Sequence, residues 1–215
     1  MGYRHLDQIT AAFVAVLLIS NVAALKVFVL GPFVLDGGAL IFPLSYIFGD
    51  VLTEVYGYSI SRRVIWQGLF WLMVFNLVMM ACIALPPEAS WESSVGQGAY
   101  ERVLGISPRL AIAGCVGFFW GEFCNSYLMA KLKVRTQGRY LALRTISSTV
   151  FGQLVDTGLF CVIAFAGILT APVLFNYILT GYFYKVAVEI AMTPFTLKAV
   201  QSLKQREGQE AWDVD

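Results

Sequence analysis

Residues 146–170, ISSTVFGQLVDTGLFCVIAFAGILT, decide the class of fold. A mostly apolar run of that length matches the roughly 20 residues that an α-helix needs to cross a bilayer core about 30 Å thick. It nevertheless carries Gln153 and Asp156, three positions apart and so on one face of the helix. A membrane helix that keeps an amide and an acid on one face must turn that face toward other helices or a wet cavity.

Working outward from this segment, hydropathy marks five more spans, at 9–30, 38–57, 64–85, 108–130 and 174–199. Turn residues separate them: Gly31-Pro32 and Asp36-Gly37-Gly38, then Ser61-Arg62-Arg63, then Pro86-Pro87. The alternating ten-residue pattern of a membrane barrel is absent, so the expected fold class is all-α, with six transmembrane helices. Residues 1–215 then form a single polytopic membrane domain. Composition agrees, because 58 % of the 215 residues are hydrophobic, 13 % are charged and the mean hydropathy is +0.70. A soluble domain lies near half apolar and a quarter charged.

Several function classes fall away. With a net charge of +1 there is no basic field for nucleic acid. The single His5 lies outside every apolar run, while Cys82, Cys115, Cys124 and Cys161 all lie inside one. Buried free thiols are therefore expected rather than disulfides, a metal site or any cofactor. The first apolar run contains Asn21 and Lys26 and does not read as a cleavable signal peptide. No GxxxxGK[ST], HExxH or GxSxG occurs, which removes a P-loop and the usual hydrolases.

Basic residues orient the chain. Arg62 and Arg63 fill the second connection, and Lys131, Lys133, Arg135, Arg139 and Arg144 cluster around the fourth. The third carries Glu88, Glu92 and Glu101 instead. Positive-inside logic places both termini and the even-numbered connections in the cytoplasm. Phe48-Gly49-Asp50 in the second span also echoes Phe151-Gly152-Gln153 in the fifth, as a 3+3 inverted repeat would.

Seven charges fall at membrane depth: Lys26, Asp50, Glu54, Glu122, Asp156, Lys185 and Glu189. Asp50 and Glu54 are i,i+4, as are Lys185 and Glu189, while Glu122 and Asn125 are i,i+3. Each pair shares a helix face, so four helices offer polar stripes to one another. Simple explanations exist for some of them. Lys185 and Glu189 can pair internally, Asp50 and Glu54 can answer Arg62 or Arg63, and Lys26 can snorkel. Glu122, Asn125, Gln153 and Asp156 sit near mid-span, where a substrate or ion site is the stronger reading. Phe119, Trp120, Tyr127, Phe160, Tyr182 and Tyr184 lie within a turn of these pairs, a set suited to a flat heteroaromatic ligand. Gly114, Gly117 and Gly121 give the fourth span a small-residue edge, including a GxxxG, for close helix packing, and Pro43 and Pro194 interrupt the second and sixth spans.

Five stretches carry a family resemblance: Ser20-Asn21; 42–57, FPLSYIFGDVLTEVYG; 121–133, GEFCNSYLMAKLK; 144–167, RTISSTVFGQLVDTGLFCVIAFAG; and 184–194, YKVAVEIAMTP. In their order and spacing the chain resembles the queuosine precursor transporter family, a branch of the vitamin uptake transporters. The resemblance implies a six-helix importer in a prokaryotic inner membrane. Its substrate would be 7-cyano-7-deazaguanine, 7-aminomethyl-7-deazaguanine or both. Expected substrate-binding residues are Glu122, Asn125, Gln153, Asp156, Lys185, Glu189, Asp50, Glu54, Asn21 and Trp120. Two other readings remain open here. One is the substrate-binding subunit of an energy-coupling-factor importer, with Ala11 and Ala15 as a small-residue docking face. The other is an intramembrane enzyme using Glu122 and Asp156 as acid and base. Partners are the deazapurine, the bilayer and an unassigned coupling ion or coupling subunit.

The charge bias of the connections yields a topology test. A reporter fused after Arg139 should read as cytoplasmic and one fused near Gly96 as external; the reverse pair would contradict the six-span arrangement.

Overall fold

The computed structural model describes residues 3–23, 25–30, 33–105 and 108–208. Helix α1, Leu6–Ala23, opens with Asp7 in its first turn, where a negative charge complements the helix dipole. Ile9, Phe13, Leu17 and Ser20 recur every three or four residues and form its buried face. The helix stops at Ala23 instead of running to residue 30. The chain then makes an antiparallel hairpin of β1, Val27–Leu30, and β2, Phe33–Asp36, in the register Val27↔Asp36 to Leu30↔Phe33. VFVL and FVLD are β-branched and aromatic enough to pair as strands although their hydropathy suits a membrane helix. The fold is therefore predominantly helical, as expected, with this hairpin where the first expected span would have continued. The Gly31-Pro32 turn lies outside the described residues.

Helix α2, Gly38–Val51, contains Pro43 and passes directly into a π-helical turn, Leu52–Tyr56, ended by Gly57 at φ 91°. Such turns widen the backbone locally and are frequent at functional sites. Every residue of this one is buried, Glu54 included. Helix α3, Tyr58–Ile83, follows. The acidic connection holds two short helices, α4 (Ala89–Ser94) and α5 (Gln97–Leu104), above a hollow lined by Cys82, Pro86, Trp91 and Tyr100. Helices α6 (Pro108–Arg135), α7 (Leu141–Phe165) and α8 (Ala171–Glu207, with Pro194 inside) complete the bundle.

Helices α1, α3 and α7 are each long and apolar enough to cross a bilayer. The polar side chains concentrate on α2, α6, α7 and α8, which pack around one another. Large apolar side chains such as Trp66, Phe70, Phe151, Phe175 and Phe183 point outward. A polar interior inside an apolar exterior suits a multi-pass membrane protein.

The tightest seam joins α6 to α7. A Cβ on Gly121 would lie 2.6 Å from Asp156 Cβ and 3.1 Å from the Gly152 carbonyl oxygen. One on Gly152 would lie 2.9 Å from both Asn125 Cβ and the Gly121 carbonyl oxygen. None of these atoms can swing aside, so the helices must part if a methyl is added. At Gly114, on the same helix, an added Cβ meets nothing within 4 Å. Gly121→Ala should therefore destabilise the protein by about 1–3 kcal/mol. Gly114→Ala should be neutral or stabilising by up to about 1 kcal/mol through helix propensity. Thermal unfolding in detergent compares the two, and equal midpoints would refute the seam.

Candidate functional site: a buried carboxylate cluster

The polar stripes meet in two layers. The layer toward the expected cytoplasmic end centres on Glu54, in the π turn. Arg144 of α7 donates from Nη1 to Glu54 Oε2 at 2.5 Å and from Nη2 to Oε1 at 3.1 Å. Lys204 of α8 donates to Oε1 at 2.7 Å. Lys133 of α6 bonds the Glu54 carbonyl oxygen at 2.7 Å, with its ammonium 3.6 Å from Oε1. Arg144 places its remaining donors on the carbonyls of Arg139 and Gly138, in the turn between α6 and α7. Arg62 and Arg63, the partners expected from sequence proximity, are exposed. Glu54 is thus a structural anchor, with its charge fully engaged.

The second layer lies about one turn along α2 and has the opposite balance. It contains Asp50, Glu122, Asp156 and Glu189, all buried, and among the described residues Lys185 pairs with one of them, Asp156. Asn125 donates from Nδ2 to Asp50 Oδ1 at 3.0 Å. Lys185 donates to Asp156 Oδ2 at 2.7 Å, so it pairs across to α7 instead of with Glu189 on its own helix. Tyr46 of α2, 1 % exposed, reaches the same Asp156 oxygen at 3.5 Å. Asp50, Asp156 and Glu189 all lie close enough to Glu122 to act on it electrostatically.

What remains is a set of buried acceptors. Both oxygens of Glu122, Asn125 Oδ1, Gln153 Oε1 and Glu189 Oε1 have no hydrogen-bond partner among the described residues. An unmade bond at such depth costs about 1–3 kcal/mol per group, and more for charged ones. Acceptors gathered in this way suit a ligand rich in N–H donors or carrying positive charge; they are the wrong surface for an anion. The two Phe-Gly-polar echoes also converge here. Gly49 lies against Glu122, where a Cβ would come within 2.7 Å of Oε2, and Gly152 lies against Asn125. Glycine at these two positions lets α2 and α7 close on α6 from both sides.

The remaining sequence-derived candidates lie elsewhere. Asn21 bonds back to the Leu17 carbonyl of α1 at 3.0 Å, and Lys26 is exposed. Trp120 is 53 % exposed and packs edge-on against Phe119 on the outer face of α6. Phe119 also meets Trp66 and Phe123, Tyr127 lies beside Lys131, and Phe160 packs on Phe165. Trp120 and Tyr127 belong to the outer surface, while Phe119 and Phe160 are half-buried in these ring contacts. The aromatic that reaches the carboxylates is Tyr46. Its place four residues before Asp50, on the same helix face, is the signal that identifies it.

Comparison with known proteins fits this architecture. A family model described as "Putative vitamin uptake transporter" matches residues 36–199. The "Probable queuosine precursor transporter" of Bacillus subtilis (strain 168) is 30 % identical over 159 residues, 74 % of this chain and 68 % of that protein. The "Queuosine precursor transporter" of Escherichia coli (strain K12) is 26 % identical over 164 residues, 76 % of this chain and 70 % of that protein. No solved structure matches. With its polar interior formed by the matched segment, this chain belongs to the vitamin uptake transporter family and is a membrane transporter.

Proposed function

We propose that the protein imports 7-deazaguanine precursors of queuosine across the inner membrane. In this reading it is a single six-span domain with both termini in the cytoplasm. The observation that carries the proposal is the buried carboxylate of Glu122, whose two oxygens lack a donor among the described residues. A guanine-type edge presents N1–H and the exocyclic amine side by side, which matches two carboxylate oxygens bidentately. Asn125 and Gln153, through their amides, serve the rest of the ring, and Tyr46 supplies an aromatic wall. Asp50 holds Asn125 in place. Asp156 and Lys185 complete the enclosure as an ion pair. The names of the two relatives support the substrate class.

Two other readings make different demands. A coupling-factor subunit would dock a partner on the groove between α1 and α3, where Ala11, Ala15 and Trp71 lie. Such a chain would not import alone, so uptake by liposomes containing only this protein separates it from a carrier. An intramembrane enzyme would alter its substrate without net transport. It would also need Glu122 and Asp156 to work as a pair, and Asp156 is held by Lys185.

Expression in cells unable to make the precursors, supplied with them from outside, should restore queuosine in transfer RNA. Glu122→Gln keeps the size of the side chain but places an amide donor against the donors of the ligand. Loss of a charge-assisted bond there is worth about 1.5–3 kcal/mol, so uptake should fall by roughly tenfold or more while membrane insertion is normal. Normal uptake by this variant would remove the carboxylate from the site.

A further inference from the structure

We infer that Glu189 is the specificity-determining acid of this site and that it favours precursors bearing a primary ammonium over those bearing a nitrile. The inference rests on the deazaguanine reading above and extends it to the substituent at C7.

The other acids of the two layers are already engaged or assigned. Glu54 is bonded by Arg144 and Lys204 and has Lys133 beside it, so its charge is balanced inside the protein. Asp156 accepts the ammonium of Lys185 at 2.7 Å and the hydroxyl of Tyr46 at 3.5 Å. Asp50 accepts from Asn125 at Oδ1 and lies in the field of the Arg144 guanidinium, which offsets its charge although its Oδ2 has no partner among the described residues. Glu122 is the acid suited to the ring edge. Glu189 remains. It is 2 % exposed, its Oε1 has no partner among the described residues, and the cation one turn away on its own helix is turned toward Asp156. Glu122 and Tyr46 both lie within its electrostatic reach, so it borders the space a bound ring would fill.

The chemistry of the two substituents then differs in sign. An aminomethyl group is an ammonium with three N–H donors, and a carboxylate receives it with a charge-assisted bond. A nitrile nitrogen is an acceptor only. Facing Glu189, it sets acceptor against acceptor and leaves the buried carboxylate oxygen without a donor. The acids beside it act in the same direction, because Glu122 and Glu189 have no ion pair among the described residues, while Lys185 is bonded to Asp156. A cationic ligand offsets their charge and a neutral one does not.

Equilibrium binding to the purified full chain in detergent tests the inference with three probes. These are 7-aminomethyl-7-deazaguanine, 7-cyano-7-deazaguanine and the neutral near-isostere 7-hydroxymethyl-7-deazaguanine. The aminomethyl compound should bind about ten- to hundredfold more tightly than either neutral compound. In Glu189→Gln that ratio should collapse toward one. Equal affinities of the wild-type protein for the aminomethyl and hydroxymethyl compounds would overturn the inference without using any variant. So would a preference that persists in Glu189→Gln. Failure of all three compounds to bind would overturn the deazaguanine reading itself, and this inference with it.

Discussion

A charge buried in a low-dielectric bundle must find its partners inside the protein, and Glu54 shows how much of the architecture follows from that constraint. Its carboxylate and carbonyl engage Lys133, Arg144 and Lys204, which arrive from α6, α7 and α8. One residue in the π turn after α2 therefore fixes the ends of four segments relative to one another. Removing one partner of such a group typically costs about 3–5 kcal/mol, because the others remain buried and uncompensated. Close by, Glu207 accepts the backbone N–H groups of Arg4 and His5 and the hydroxyl of Tyr56, tying the start of the chain to the end of α8.

With that end fastened, the central layer can hold the reverse imbalance. The knot gathers three cations around one acid, whereas the next layer holds four buried acids, of which Asp156 pairs with Lys185. Taken together the two layers nearly cancel, but separating them leaves buried acceptors without partners among the described residues of α2, α6, α7 and α8. The glycine contacts at Gly49, Gly121 and Gly152 set how close those helices come and hence how near the acceptors stand to one another. Packing and binding chemistry are thus parts of one arrangement: the small residues that allow close approach also align the carboxylates.

Much of this was legible in the sequence. Helical periodicity alone put Asp50, Glu122, Asn125, Gln153, Asp156 and Glu189 on inward faces, because a polar stripe on an apolar helix has only one tolerable direction. Hydropathy found the long helices but read 27–30 as more helix, since it does not distinguish an apolar strand from a membrane helix. Pairing was harder still. Lys185 lies one turn from Glu189 in sequence yet bonds Asp156, and Glu54 bypasses Arg62 and Arg63 for residues 79, 90 and 150 positions away. Those choices depend on how helices cross, which no local pattern encodes. Trp120 and Tyr127 show the same limit: in a membrane protein rings also face outward, so proximity to a polar residue along the chain says little about which side they occupy.

A structure of the protein bound to a 7-deazaguanine ligand is the decisive test of a site among these buried acceptors. The account predicts the ring beside Tyr46, with its N1–H and exocyclic amine within hydrogen-bond distance, about 2.7–3.2 Å, of the two Glu122 oxygens. A ligand found instead in the hollow beneath α4 and α5, among Cys82, Trp91 and Tyr100, with Glu122 untouched, would contradict it.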